Sequence, residues 1–88
     1  MRFRWNAHNI EHIGAHDITP AEAEYVVDHA RTPFPEMIGK GKRYVAGRTW
    51  DAKYVQVIYI LDSDATAYVI HARPLTDAEK QKFRRRTK

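Results

Sequence analysis

The side chains best suited to chemistry lie near the end of the chain, within residues 67–79. Because side chains alternate along a β-strand, His71 and Arg73 share one face of any strand that contains both. Glu79 and Phe83 are four residues apart, so a helix after the strand presents them together and can return Glu79 to the strand end. A proton-moving imidazole or carboxylate beside a phosphate-holding guanidinium suits phosphodiester chemistry. The structural alternative is that Glu79 only caps its helix or pairs with Arg73.

Positive charge is concentrated at the C-terminus. The chain has 15 Lys and Arg against 11 Asp and Glu, a net charge of +4. Every acidic residue precedes position 80, so residues 1–79 are net acidic and the excess positive charge follows them. We expect a basic tail at 84–88 that binds nucleic acid, an acidic partner or only water. Together with Lys82, this tail supplies the residues predicted to contact an RNA backbone, which we call the basic segment: Lys82, Arg84, Arg85 and Arg86.

Other arginines and several aromatic residues lie in the middle of the chain. Arg43 and Arg48 have opposite parity on one predicted strand, so they point to opposite faces unless Gly47 marks a bulge. One of the two is therefore expected on the surface. Aromatic residues that could stack on bases, with packing against the sheet as the alternative, are Tyr44, Trp50, Tyr54 and Tyr59.

Three histidines, His8, His12 and His16, are spaced by four residues. Two histidines one helical turn apart have a metal-ligand spacing. However, the chain has no cysteine, and Glu11 is the only well-placed carboxylate. We therefore expect no metal and no other cofactor, and histidines that face solvent or nucleic acid.

Local signals predict an α+β fold. Residues 19–22 and 76–79 each read Thr-x-x-Glu, a capping box, and Asn6 is a further N-cap. Segments rich in Val, Ile and Tyr are separated by short polar turns, so they pair antiparallel. Helices beside such a sheet define the α+β class. The predicted elements are a short strand at 3–5, helices from Asn6 and at 19–30, a sheet of three to four antiparallel strands including 42–50, 54–61 and 67–73, and a helix from 76.

The last predicted strand also suggests which face is core. Opposite His71 and Arg73 lie three residues that we expect to be buried: Tyr68, Ile70 and Ala72. Pro74 lacks an amide donor and ends the strand ladder.

The totals indicate one small protein domain, 1–88. A chain of 88 residues buries a small core. The start, Met1 to Trp5, lacks the apolar region of a signal peptide, and no apolar run is long enough to span a membrane. We expect a cytoplasmic protein without membrane partners.

Three segments, taken in order, resemble the BrnT family of small bacterial toxins. They are FRWNAHNIEHIGAHDITPAEAEYVV, RYVAGRTWDAKYVQVIYI and VIHARPLTDAEKQKF. The resemblance covers nearly the whole chain and depends on order and spacing rather than on one motif. Its most specific parts are the aromatic start through Trp5, then 16–19, 43–48 and 72–79.

The resemblance implies a RelE-like fold, with helices layered on an antiparallel sheet. It also implies a metal-independent endoribonuclease that inhibits translation, and a cognate, BrnA-like antitoxin encoded nearby. In such enzymes the RNA 2′-hydroxyl attacks the adjacent phosphate, and a side chain accepts its proton. By position, Arg43, Arg73 and Glu79 match the polar motif of the family, and His16 matches its N-terminal histidine.

The resulting prediction has two parts. The phosphate is held by Arg43 and Arg73, and the proton is accepted by His71 or Glu79. RNA contacts come from His16, Arg48 and the basic segment.

The chain departs from the family pattern at three places. Phe83 stands where members often carry a tyrosine, Asp17 where they often carry a glycine, and Ala52-Lys53 where many carry Gly-Arg after the first β-turn. The alternative is a non-catalytic domain of the same fold. Such a domain would bind nucleic acid through its tail, or present its basic face to an acidic protein partner.

Overall fold

A computed structural model describes residues 1–87, and it has the predicted α+β class. A five-stranded sheet has the order β1-β5-β4-β3-β2, and its strands pair antiparallel except for β1, which runs parallel to β5. The strands are β1 (Phe3–Arg4), β2 (Glu36–Met37), β3 (Arg43–Arg48), β4 (Tyr54–Leu61) and β5 (Ala67–Pro74). The helices are α1 (Ala7–Gly14), α2 (Pro20–Asp28) and α3 (Asp77–Arg86).

The central strand β4 divides the sheet into two faces. Val55, Val57 and Tyr59 are buried on one of them. Helix α2 covers this face so closely that a Cβ at Gly47, which pairs with Val55, would lie 3.3 Å from Cγ1 of Val26. One cluster of buried side chains from the helices and the sheet forms the core.

Helix α1 lies beside the part of β5 that follows Tyr68, the last residue of β5 that pairs with β1. The buried Asn9 fixes this arrangement, because its Nδ2 donates to the carbonyl oxygens of Arg4 (3.2 Å) and Val69 (3.1 Å). Its Oδ1 accepts from the amide of Asn6, the N-cap of the helix. The second half of α1 is thereby held next to the middle of β5.

A β-bulge changes which residues of β5 are buried. Tyr59 pairs with Val69 whereas Ile58 pairs with His71, so Ile70 is an extra residue on β5. The prediction that Tyr68 and Ile70 join Ala72 in the core is wrong, since alternation does not continue through a bulge. The buried residues of β5 are Ala67, Val69 and Ala72.

Helix α3 packs on the other face of the sheet. Its Thr76–Glu79 capping box forms as predicted. Phe83 packs between Phe34 and Tyr54, with ring centroids 6.1 and 5.9 Å away. The basic tail predicted at 84–88 is mostly helix, because α3 continues to Arg86. Lys88 lies outside the described residues.

Among the described residues, every helix is too short or too polar to cross a bilayer.

Candidate functional site

Three histidines from two elements form a cluster, which we call the histidine cluster: His12, His16 and His71. His12 lies near the end of α1, His16 lies in the turn that follows this helix, and His71 lies at the bulge of β5. The ring centroid of His71 is 5.6 Å from that of His16 and 5.9 Å from that of His12. His12 and His16 are 6.2 Å apart, so the three imidazoles form a nearly equilateral triangle. The sequence predicted a role for His16 and for His71, but not their proximity.

The environment of His71 lowers its pKa. Partial burial is the largest cause, followed by His16 and His12 and then by the positive charge of Arg73. Each of these disfavours an imidazolium, so His71 is neutral at pH 7 and can accept a proton. His12 and His16 are exposed, so a substrate can reach the cluster from solvent.

The cluster does not have the geometry of a metal centre. Within residues 1–87, no group of three or more histidine or carboxylate side chains could hold a metal ion. Three neighbouring imidazoles can accept a proton from a bound substrate and donate one to it.

Arg73 and Glu79, predicted to act at one strand end, do meet, but each binds the other. Arg73 Nη1 and Nη2 donate to the two carboxylate oxygens of Glu79 at 2.9 and 2.8 Å. The amide of Thr76 also donates to Glu79, at 2.8 Å. The Arg73 guanidinium and this amide lower the pKa of Glu79 to about 2. Glu79 is therefore an anion that binds protons weakly, and it is a poor general base at pH 7.

The other side of Arg73 is also occupied. Gln56, its cross-strand partner, is buried. In the amide orientation that satisfies both neighbours, Gln56 Oε1 accepts from Nη2 and Nε of Arg73 at 3.2 Å, and its nitrogen donates to Tyr44 Oη at 3.0 Å. Most donors of Arg73 are thus used within the fold, and it contributes mainly positive potential near His71.

Arg43 does not join this group. It pairs with Tyr59 on the face that α2 covers, whereas Arg73 pairs with Gln56 on the face of α3. The expectation that Arg43 and Arg73 hold one phosphate therefore fails on strand parity. The β3–β4 register runs without a bulge, so Arg43 and Arg48 do lie on opposite faces as predicted.

A second feature is a cleft of about 360 Å³ between the end of α2, β3 and α3, which we call the arginine–tyrosine cleft. Its cationic side chains are Arg31, Arg48 and Arg84. The guanidinium carbons of Arg48 and Arg84 lie 5.4 and 5.2 Å from the ring centroid of Tyr54. Arg84 Nη2 also donates to Tyr54 Oη at 3.5 Å, and this contact is the first cause of a lowered Tyr54 pKa.

The remaining residues of the basic segment lie elsewhere. Arg86 is paired with Glu36 and lies over the ring of Phe34. Lys82 and Arg86 line a cavity of about 210 Å³ beside Phe83. Arg85 is exposed. Of the six predicted RNA-binding residues, His16 thus lies in the histidine cluster, two line the arginine–tyrosine cleft (Arg48 and Arg84), and three lie outside both features.

No family model, no curated protein and no solved structure matches the chain.

Proposed function

We propose that this protein is the toxin component of a type II toxin–antitoxin pair and that it cleaves RNA without a metal ion. The observation that carries the catalytic part is the histidine cluster. RNA cleavage by internal attack needs one group to take a proton and another to give one, and the cluster has a neutral imidazole within 5.6 Å of a second. The toxin part rests on the ordered sequence motifs that resemble the BrnT family.

In the proposed reaction His71 is the base. It accepts the proton of a ribose 2′-hydroxyl, and the resulting oxygen attacks the adjacent phosphorus. His16 donates a proton to the departing 5′-oxygen as the phosphorus–oxygen bond breaks. The products are a 2′,3′-cyclic phosphate and a 5′-hydroxyl, and the nearby charge of Arg73 favours the extra negative charge of the transition state.

A second candidate is a nucleic-acid-binding domain of the same fold without catalysis. The closed Arg73–Glu79 pair favours it, because a guanidinium bound to a carboxylate has fewer donors for a phosphate. This candidate predicts RNA binding that falls steeply with salt, and no cleavage.

The test is cleavage of a single-stranded RNA by purified protein in the presence of a chelator. We expect wild type to cleave, and His71→Ala to lower the rate at least 100-fold, since general-base catalysis contributes about 10²–10⁴-fold. His8→Ala is the matched control, because His8 is an exposed histidine of α1 outside the cluster. Equal cleavage rates for wild type and His71→Ala would contradict the assignment of His71 as the base.

The toxin assignment has its own test in a growing bacterium. Wild type should slow growth and His71→Ala should not, at equal levels of soluble protein. Co-expression of a BrnA-like protein from a neighbouring gene should restore growth to cells that express wild type. If no neighbouring gene product protects, the antitoxin part of the proposal is wrong, whatever the cleavage assay shows.

A further inference from the structure

We propose that the arginine–tyrosine cleft binds one nucleotide unit of single-stranded RNA, with its phosphate between Arg48 and Arg84 and its base on Trp50. This inference rests on the proposed function for the nature of the strand, and it assigns a binding site separate from the histidine cluster.

The cleft exists because β3 is only partly covered at the sheet edge. The two-residue strand β2 pairs with Arg43 and Tyr44 and no further, so Gly47 and Arg48 have no strand beyond them. The end of α2 and the second half of α3 form the walls. The volume of about 360 Å³ falls within the range of small-molecule sites, roughly 300–1,000 Å³.

The charge of the cleft selects an anion. Arg31, Arg48 and Arg84 line it, and within residues 1–87 no carboxylate lines it or pairs with any of the three. Arg73 and Arg86 show the contrast, since each is bound to a glutamate. Planar guanidiniums suit a phosphate, which they bind through paired N–H groups.

Aromatic groups beside the cleft favour a nucleotide over a simple anion. Trp50 is 59% exposed, although a tryptophan usually buries most of its surface. Its ring contacts Tyr25 edge-on at 5.4 Å, and Tyr25 stacks on His29 at 3.9 Å. The packed pair of rings holds Trp50 next to the cleft, where its indole can stack on a base of any sequence.

The position of the cleft suits a strand that also reaches the histidine cluster. Tyr54 and Ile58 lie on the same face of β4, four residues apart, which is roughly 13 Å along a strand. Ile58 pairs with His71. His71 and Tyr54 therefore belong to the same side of the sheet.

The ordinary explanation is a solvated basic helix end. Lys and Arg are favourable in the last turn of a helix because they complement its dipole, and that accounts for Arg84, Arg85 and Arg86 equally. Binding in the cleft distinguishes these arginines, because Arg84 lines the cleft and Arg85 does not.

The experiment measures binding of a labelled ten-nucleotide RNA whose 2′-hydroxyls are methylated, so that it cannot be cleaved. The full chain is titrated by fluorescence anisotropy at several salt concentrations. We expect Arg48→Ala/Arg84→Ala to weaken binding at least tenfold and to lower the salt slope by about 0.7, the value for one phosphate that is no longer neutralised. Arg85→Ala is the matched control and should change affinity less than twofold. Equal losses for Arg84→Ala and Arg85→Ala would show a diffuse basic surface and overturn the proposal.

A second arm separates base from phosphate. Trp50→Ala should weaken oligonucleotide binding about tenfold, as expected when one base stack is removed, and Trp50→Phe should restore part of it. Adenosine monophosphate should compete with the labelled RNA better than inorganic phosphate does. If Trp50→Ala binds normally, or phosphate competes as well as the nucleotide, no base is bound there. Because the probe cannot react, a failure of cleavage leaves this result unchanged, and a failure of binding at the cleft leaves the cleavage assay unchanged.

Discussion

Replacing Glu79 with glutamine separates the two roles of this carboxylate in the fold. Glu79 closes the capping box of α3 through the Thr76 amide, and it binds Arg73 through both oxygens. Glutamine keeps an oxygen for the Thr76 amide but loses the charge. Alanine loses both interactions, so the pair Glu79→Gln and Glu79→Ala measures the ion pair and the cap separately.

The expected magnitude follows from the exposure of the pair. The Arg73 and Glu79 side chains are 32% and 33% exposed, so solvent screens the pair and its contribution is about 0.5–1 kcal/mol. Loss of the helix cap adds about 1 kcal/mol. For a domain of this size the melting temperature falls by roughly 2–8 °C for Glu79→Gln. The corresponding fall for Glu79→Ala is roughly 6–16 °C.

The pH dependence of unfolding is an independent check. The pKa of Glu79 is lowered from 4.5 to about 2, so the ion pair stabilises the fold fully above about pH 4.5 and is lost as pH falls towards 2. The difference in unfolding free energy between wild type and Glu79→Gln should therefore be constant from pH 5 to 8 and should shrink below pH 4. Urea titrations at pH 7, 4 and 3 measure it.

The same variant tests whether Glu79 is a catalytic base. Since His71 is assigned that role, Glu79→Gln should keep RNA cleavage within about threefold of wild type. A 100-fold loss of cleavage in a Glu79→Gln protein that remains folded would refute the reasoning, because it would make Glu79 the proton acceptor.

Three further outcomes are expected. Burial and neighbouring positive groups lower the pKa of His71, so the cleavage rate should fall on acidification only below pH 6.5. Initial rates from pH 4.5 to 8 measure this midpoint, and a midpoint above 6.5 contradicts the assignment of His71 as the base. Asn9→Ala should destabilise the fold by about 1–3 kcal/mol in urea, because it leaves the Val69 carbonyl unpaired in the interior. It should also reduce cleavage, since α1 then no longer holds His16 against β5. Phe83→Ala should lower the free energy of unfolding by about 1–2 kcal/mol, which is less than the ~3–5 kcal/mol expected for a fully buried ring. A decrease below about 0.3 kcal/mol would mean that α3 does not pack on Phe34 and Tyr54 through this ring.

The starts of the helices could be predicted because their signals are local. Asn6, Thr19 and Thr76 were predicted as N-caps, and each caps its helix in the structure. A cap needs only the three residues that follow it, so tertiary packing seldom changes it. For the same reason the short turns that separate the three long strands were predictable.

Strand β2, the parallel pairing of β1 and the bulge were not predictable from local pattern. Glu36–Met37 forms a strand only because β3 pairs with it, and the parallel pairing of Phe3–Arg4 depends on contacts more than 60 residues away. The extra residue at Ile70 reverses the alternation within a strand whose composition looks uniform. Pairing partners, and not propensity, decide all three features.

The candidate site was predicted in part for the same physical reason. Strand and helix spacing predicted that Glu79 approaches Arg73, and the structural alternative, in which Glu79 caps its helix or pairs with Arg73, is the arrangement in the structure. The spacing of His12 and His16 indicated one helix face, and Asn9, one turn before Ile13, was a signal that this helix docks through a polar contact. That docking brings the two histidines to His71, which only the tertiary structure reveals.

The central claim is that imidazoles of the histidine cluster cleave RNA by internal attack of the 2′-hydroxyl. The most direct measurement uses an RNA oligonucleotide in chelator, analysed for product ends, together with a copy carrying 2′-deoxyribose at every nucleotide. Wild type should yield 2′,3′-cyclic phosphate and 5′-hydroxyl ends from the RNA and nothing from the deoxy copy, and His71→Ala should yield neither. Cleavage of the deoxy copy, or undiminished cleavage by folded His71→Ala, would contradict the account.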